Sequence, residues 1–259
     1  MSIDAALIMS DNNLSEAKPA DRGAFPATRW SLVSSVRARH GDEPQAARAL
    51  EYLCSIYWYP LYAFARRQGL GAEDAQDATQ GFFEQLIDKQ TFHAADRERG
   101  RLRTFLLAAF GYFLADQRDR RNAWRRGGRT EIVPLDAGDR YEAESEHEMT
   151  PERHFNRQWA LAVLQQALET LQNERTLAGR EREMAELRGF LDASGSGGEA
   201  TYEEAATSLG WSVNTTRVAV HRLRLRYRQL LQDQIAATLE NEDPAMVREE
   251  MQALLAALA

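Results

Sequence analysis

A short stretch near the C-terminus of this 259-residue chain is rich in side chains that can bind nucleic acid. Residues 211–228 contain five arginines and no acid, although the whole chain carries a net charge of −7. Arginine can form two hydrogen bonds with O6 and N7 of guanine in the major groove. The side chains that we expect to face DNA bases from one helix are Asn214, Thr215, Arg217, His221 and Arg222. Arg224, Arg226 and Arg228 follow, and we expect them to contact phosphates.

The residues around this stretch have the spacing of a helix-turn-helix. The first short helix carries Tyr202, Ala205, Ala206 and Leu209, and Gly210 allows a tight turn. Ser212 can then cap a second helix, whose N-terminal turns would enter the major groove. The apolar residues of that second helix are Val218, Val220 and Leu223. A helical hairpin with a solvated arginine face has the same pattern, and the residues alone leave that alternative open.

A second basic segment lies earlier in the chain, where residues 99–129 hold nine arginines against two acids. A long helix is predicted over 101–126, and it changes from apolar to basic along its length. Arg118, Arg121 and Trp124 belong to the basic end. Basic side chains interleaved with an aromatic ring suit a strand whose bases are exposed. For Trp124 the pattern favours base stacking and core packing equally.

The elements that would position these side chains are all predicted to be helical. Apolar residues recur at spacings of three and four, and no alternation typical of a strand is found. A helix start is indicated at Thr150 and Pro151, where a capping residue precedes a proline. The sequence therefore predicts an all-α protein with two helical domains joined by a flexible linker. The expected order is a disordered leader (1–24), a first domain (25–126), a linker (127–150), a second domain (151–235) and an acidic C-terminal extension (236–259) with an amphipathic helix.

The composition excludes several classes of protein. Hydrophobic residues make up 44% of the chain and charged residues 27%, which is typical of a soluble globular protein. The longest apolar run, 105–115, is too short for a membrane span of about 20 residues, and the N-terminus lacks a signal-peptide pattern. We therefore expect a cytoplasmic protein that does not bind membranes. The chain has one cysteine, its histidines lack the spacing of metal ligands, and no phosphate-binding glycine loop is found. We therefore expect no metal, no cofactor and no enzymatic activity.

Three blocks in order along the chain resemble a known family. Residues 72–87, 101–120 and 201–231 are similar to regions two and four of extracytoplasmic-function (ECF) sigma factors, which belong to the sigma-70 family of RNA polymerase subunits. The segments 25–33 and 57–69 resemble one subgroup of that family. The resemblance covers most of the chain. It implies a protein that binds core RNA polymerase and directs promoter recognition, promoter opening and transcription initiation.

The resemblance also implies roles for individual residues. The residues that match the segment docking on the clamp helices of the polymerase β′ subunit are Asp74, Asp77, Gln80, Phe83 and Glu84. The β flap is a further expected contact. The loop and helix that follow match the part that holds the minus-ten element, and the implied contacts are Phe92, Arg97, Arg99, Arg101, Arg103, Tyr112, Arg118, Arg121 and Trp124. The helix from 212 to 228 matches the reader of the minus-thirty-five element.

Some positions depart from the family pattern. Gly81 stands where glutamate is common, which weakens the charge for polymerase docking. Thr79 lies on the same helix, and some relatives are linked to serine/threonine kinases. Phosphorylation of Thr79 is therefore a hypothesis for restoring that charge. Tyr112 stands where asparagine is usual, and Thr216 where a packed valine is usual. What restrains the protein is left open by the sequence, and the alternatives are an anti-sigma factor, a serine/threonine kinase and the C-terminal helix.

Two questions stay open at the level of sequence. A stand-alone helix-turn-helix regulator would use only residues 201–231, and it would leave 72–126 without a role. The C-terminal helix carries an apolar stripe formed by Met251, Leu254, Leu255 and Leu258. That stripe predicts either packing on the protein's own domains or a compact state that is silent toward DNA.

Overall fold

The computed structural model describes residues 43–88, 101–125, 149–191, 201–239 and 243–259. Within these residues every regular element is a helix and no strand occurs, so the all-α prediction is confirmed. The helices are α1 (Glu43–Arg67), α2 (Ala72–Asp88), α3 (Leu102–Arg125), α4 (Pro151–Leu177), α5 (Glu181–Leu187), a short 3-10 helix (Arg188–Leu191), α6 (Tyr202–Leu209), α7 (Val213–Ala236) and α8 (Pro244–Leu258). In this described part of the chain, no helix has the length and apolarity that a membrane crossing requires.

The chain divides into two compact units. Described residues up to Trp159, with Thr238 and Leu239, form the N-terminal unit. Those from Ala160 to Ala237 and from Asp243 onward form the C-terminal unit. The division therefore falls inside α4. The predicted leader and nearly all of the predicted linker lie outside the described residues, and both stay predictions.

The N-terminal unit is built on α1, α2 and α3, which pack against one another. Phenylalanines from the three helices form an aromatic cluster. The ring centroid of Phe110 lies 5.0 Å from that of Phe82 and 6.2 Å from that of Phe64, and Phe113 lies 5.7 Å from Phe82. Such tilted and edge-to-face pairs are favourable beyond the apolar area they bury. Because the cluster holds one face of α2 and one face of α3 inward, it also determines which side chains of these helices face solvent.

The C-terminal unit packs α7 against α6, α8 and the 3-10 helix. The side chains of α7 that are buried along this seam include Val220, Leu223, Leu230, Leu231 and Ile235. Polar bonds fix α7 as well: the Tyr227 hydroxyl donates to the Leu164 carbonyl at 3.1 Å, and Arg226 donates two hydrogen bonds to Glu174 at 3.0 and 2.5 Å. These bonds tie α7 to α4, so the exposed face of α7 has a fixed orientation within the unit.

The predicted C-terminal amphipathic helix is α8. Asp243 caps it, because its side chain accepts a hydrogen bond from the Ala245 amide at 2.8 Å. Met251 and Leu254 are buried, and α8 packs against α7. Packing on the protein's own domain, one of the two predicted roles for this stripe, is therefore observed.

Candidate nucleic-acid interface

The helix pair α6–α7 is delimited by local caps at the start of α6, at its end and at the start of α7. Thr201 and Glu204 form a capping box at the start of α6: the Thr201 amide donates to the Glu204 carboxylate at 2.7 Å, and the Glu204 amide donates to the Thr201 hydroxyl at 3.3 Å. Gly210 ends α6 with a φ of +69°, a left-handed conformation that favours glycine. Ser212 accepts a hydrogen bond from the Thr215 amide at 3.1 Å and caps α7. The predicted turn at Gly210 and the predicted cap at Ser212 are both confirmed.

The short helix α6 is also bonded to α5. Arg182 donates to the Ser208 carbonyl at 2.6 Å, and the Ser208 hydroxyl donates to the Glu186 carboxylate at 2.6 Å. The small side chains of Ala205 and Ala206 let α5 and α6 approach closely, and both residues are buried. These two hydrogen bonds therefore tie α6, the first helix of the pair, to α5.

The N-terminal half of α7 presents the predicted base-reading side chains to solvent. Those that are exposed are Asn214, Thr215, Arg217, His221 and Arg222. The opposite side carries Thr216, Val220 and Leu223, all buried. Thr216 fits this apolar environment because its hydroxyl donates to the Ser212 carbonyl at 3.2 Å. The predicted orientation of the five side chains is confirmed, whereas their contact with DNA stays a prediction.

Two of the arginines further along α7 are engaged in the fold. Arg224 is half-buried, and its Nε donates to the Phe190 carbonyl at 3.0 Å. The hydrogen bonds from Arg226 to Glu174 raise the pKa of the Arg226 guanidinium above its usual value. Both arginines therefore hold α7 against its own unit, and their contact with phosphates stays a prediction.

Val218, one of the three apolar residues noted on this helix, does not share the buried side with Val220 and Leu223. Its side chain is 43% exposed. The reason is helical geometry, since Thr216 and Val220 occupy the buried side and residue 218 lies between them on the opposite side. Leu225 is similarly exposed at 44%. The outward face of α7 is thus mixed apolar and basic.

On α3, Arg103 is not available as a DNA contact. It is 8% exposed, its guanidinium carbon lies 4.3 Å from the centroid of the Trp159 ring, and its Nη1 donates to Asn156 Oδ1 at 2.5 Å. Both partners belong to the first turns of α4, and Trp159 is fully buried. Arg103 therefore forms part of the core of the N-terminal unit, and its predicted contact with the minus-ten strand is wrong for this conformation.

The other residues that were predicted to contact the minus-ten strand differ in their exposure to solvent. Tyr112 is 79% exposed, Arg118 is exposed and Arg101 is half-buried. Arg121 and Trp124 lie on α3, but the structure does not describe their side chains. The loop residues Phe92, Arg97 and Arg99 lie outside the described residues.

On α2, the five predicted polymerase-docking residues divide into four exposed polar residues and one buried aromatic residue. The exposed ones are Asp74, Asp77, Gln80 and Glu84, and Gln80 donates to Glu84 at 3.0 Å. Phe83 is 5% exposed and lies beside Phe82, so it belongs to the core and the prediction that it contacts a partner is corrected.

Thr79, the hypothetical phosphosite on the same helix, is fully buried. Its hydroxyl donates to the Ala75 carbonyl at 2.7 Å. A kinase cannot reach a hydroxyl in that position without unfolding α2, so the geometry disfavours the hypothesis that Thr79 is a phosphosite.

An aromatic surface on α1 was not singled out from the sequence. The Trp58 and Tyr62 rings stack with centroids 5.5 Å apart, Tyr59 is 54% exposed, and Arg66 donates to the Tyr62 hydroxyl at 3.2 Å. Spacings of three and four place these residues on one face of the helix. That spacing within the segment 57–69 is the signal that could have revealed the surface.

The described residues hold no group of three or more histidine, cysteine, aspartate or glutamate side chains that could bind a metal ion. Cys54 is half-buried, and burial raises the pKa of its thiol above its ordinary value. A thiol whose pKa is raised by burial is a poor nucleophile. Comparison with protein-family models, with curated proteins and with solved structures finds no match to this chain.

Proposed function

We propose that the protein is a sigma factor of the ECF type that binds core RNA polymerase in the cytoplasm and directs it to particular promoters. In this proposal the protein does no covalent chemistry and needs no cofactor. Its functions are to recognise double-stranded bases, to hold single-stranded bases and to bind the polymerase. The sequence resemblance supplies the family, and the geometry of individual surfaces supports each function.

The observation that carries the proposal is the outward face of α7. A capped helix-turn-helix places Asn214, Arg217 and Arg222 on the N-terminal half of its second helix, on the side opposite the buried seam. A helix presented in this way can enter the major groove, where its first turns meet base edges. In the proposed function this face reads the minus-thirty-five element.

The acidic face of α2 supports the proposed contact with polymerase. Asp77 and Glu84 are exposed on one side of the helix, and Asp74 is exposed nearby. Carboxylates on such a face pair with basic side chains of a partner, which steers association and fixes its register. The proposed partner is the basic surface of the β′ clamp helices, and the β flap would contact the protein elsewhere.

The exposed residues of α3 support a role in promoter opening. Tyr112 offers an aromatic face to solvent and Arg118 a cation. Stacking on an exposed ring stabilises an unpaired base by about 1–3 kcal/mol. Arg103 has no part in this step because it is buried.

The charge of the whole chain fits a division of binding between two weak sites. With a net charge of −7, the free protein has little general attraction for DNA. Polymerase would align both DNA-binding surfaces on one promoter. Linking two weak sites raises the effective concentration of each without any new contact.

Run-off transcription with core RNA polymerase and a library of promoter DNA tests the proposal. We expect transcripts that start downstream of shared sequence elements only when the protein is present. Replacing Asp77 and Glu84 by arginine should abolish both polymerase binding and transcription, whereas Glu51→Arg on the exposed surface of α1 should leave both intact. Sequence-specific DNA binding without polymerase binding would support the stand-alone regulator instead. Failure to bind either partner would overturn both functions.

A further inference from the structure

The ring of Tyr202, at the start of α6, contacts both a core ring and an arginine of α7. Its centroid lies 4.7 Å from that of Phe190, with the ring planes 24° apart. The guanidinium carbon of Arg217 lies 5.6 Å from the centroid of the Tyr202 ring, within the range of a cation–π interaction. Phe190 is buried, Tyr202 is half-buried and Arg217 is exposed, so the three groups lead from the core to the surface.

The backbone that carries the Tyr202 ring is anchored, and so is that of its stacking partner. Tyr202 follows the capping residue Thr201 directly, so its backbone is the first helical residue after a complete capping box. The backbone of Phe190 is bonded to α7, because its carbonyl accepts the hydrogen bond from Arg224. Arg217 therefore contacts a ring whose backbone is anchored by a capping box and which stacks on the buried Phe190.

We propose that Tyr202 is a positioning residue that holds the Arg217 guanidinium in the orientation needed to read a base pair. The inference rests on the proposed DNA-binding function of α7. An exposed arginine loses side-chain freedom when it binds a base, and each side chain that is ordered in advance improves affinity by about two- to tenfold. Arg222, which is exposed on the same helix, has no ring contact within the described residues and serves as the comparison.

The experiment begins with the full-length protein bound to core RNA polymerase and selects its preferred upstream DNA sequence from a random library. Affinity is then measured for the selected site and for every single base-pair change, with wild-type protein, Arg217→Ala, Tyr202→Leu and Tyr202→Phe. Arg217→Ala should remove the preference at one or two base pairs. Tyr202→Leu should weaken the preference at those same base pairs and reduce affinity for the selected site about three- to tenfold. Tyr202→Phe, which keeps the ring, should behave like wild type.

Several results would overturn the inference. Unchanged preferences in Tyr202→Leu would show that the ring is not needed, and an equal loss at every base pair would indicate general loosening of the helix pair. A loss in Tyr202→Phe as large as in Tyr202→Leu would indicate that the hydroxyl contacts DNA directly. If wild-type protein enriches no sequence, the proposed function itself fails.

Side-chain mobility provides a readout that does not depend on the stability of Tyr202→Leu. Nitrogen-15 relaxation of the arginine Nε–Hε groups in the wild-type protein compares Arg217 with Arg222. We expect a clearly higher order parameter for Arg217. Equal mobility of the two side chains would overturn the inference even if every substituted protein failed to fold.

Discussion

An arginine meets an aromatic ring in both units of this protein, and the two pairs differ in distance and in burial. Arg103 lies 4.3 Å from the Trp159 ring in the N-terminal unit and is 8% exposed. Arg217 lies 5.6 Å from the Tyr202 ring in the C-terminal unit and is exposed to solvent. The first guanidinium is also bonded to Asn156, so it is part of the core. One side of the Arg217 guanidinium lies against the Tyr202 ring, and the rest faces water. The group is therefore oriented and is still available to a ligand.

The comparison shows that arginine-rich composition does not identify a binding surface by itself. Residues 99–129 and 211–228 are both basic, and both contribute arginines that hold their own unit together. What separates the two roles is the environment of each guanidinium. A buried one stabilises the fold, and an exposed one can bind a partner. Substitution of a buried arginine should change the free energy of unfolding, whereas substitution of an exposed one should change binding. Substitution of Thr79, the buried threonine of α2, tests the effect of burial for a polar group.

The largest expected effect is that of Thr79→Asp in the N-terminal unit. The substitution places a carboxylate at a fully buried position where a hydroxyl now bonds to the Ala75 carbonyl. We expect the free energy of unfolding to fall by about 3–5 kcal/mol, because an unpaired charge is buried. Urea denaturation measures the change, and Gln80→Asp at the exposed neighbour should have little effect. A stable Thr79→Asp protein that binds polymerase more tightly would restore the phosphosite hypothesis.

Arg103→Ala should have the next largest effect and should act on stability. It removes a desolvated cation–π contact and a hydrogen bond from a charged group, and it leaves Asn156 Oδ1 without that donor. Together these losses amount to about 2–4 kcal/mol in the free energy of unfolding. Arg118→Ala, at an exposed site on the same helix, should change stability by less than about 0.5 kcal/mol. Equal effects of the two substitutions in urea denaturation would contradict the assignment of Arg103 to the core.

The difference between Arg103 and Arg217 also shows what can be predicted from the sequence. Helical periodicity placed Asn214, Arg217 and Arg222 correctly, because orientation on α7 depends on spacing within the helix and on nearby caps at Ser212 and Gly210. The helix predicted over 101–126 and the helix start predicted at Pro151 likewise match α3 and α4 closely. Arg103 could not be placed in this way, since its partner Asn156 is 53 residues away and no local pattern connects them. The same holds for Arg224 and Arg226, whose partners Phe190 and Glu174 belong to other helices.

Within the C-terminal unit, Arg217→Ala and Arg226→Ala should have opposite consequences. Loss of Arg217 should weaken binding to the preferred DNA by about 1–3 kcal/mol, the range for one bidentate base contact, and leave the unfolding free energy nearly unchanged. Loss of Arg226 should lower stability by about 1 kcal/mol, because its pair with Glu174 is partly exposed, and should leave DNA discrimination intact. Fluorescence anisotropy and urea denaturation of both proteins provide the comparison. A large DNA defect in stable Arg226→Ala would return that arginine to the interface.

The smallest effect concerns Val218, the apolar residue next to Arg217. Its side chain is 43% exposed on the proposed DNA-facing side of α7, where an apolar group can contact the methyl group of thymine. Replacing each thymine of the preferred site by uracil removes one methyl group at a time. At one position the replacement should weaken binding by about 0.8 kcal/mol, or about fourfold, which is the value of one buried methylene. Val218→Ala should lose most of its sensitivity to that replacement, whereas Arg217→Ala should keep it. Uniform tolerance of uracil by the wild-type protein would mean that the interface reads bases through its polar side chains alone.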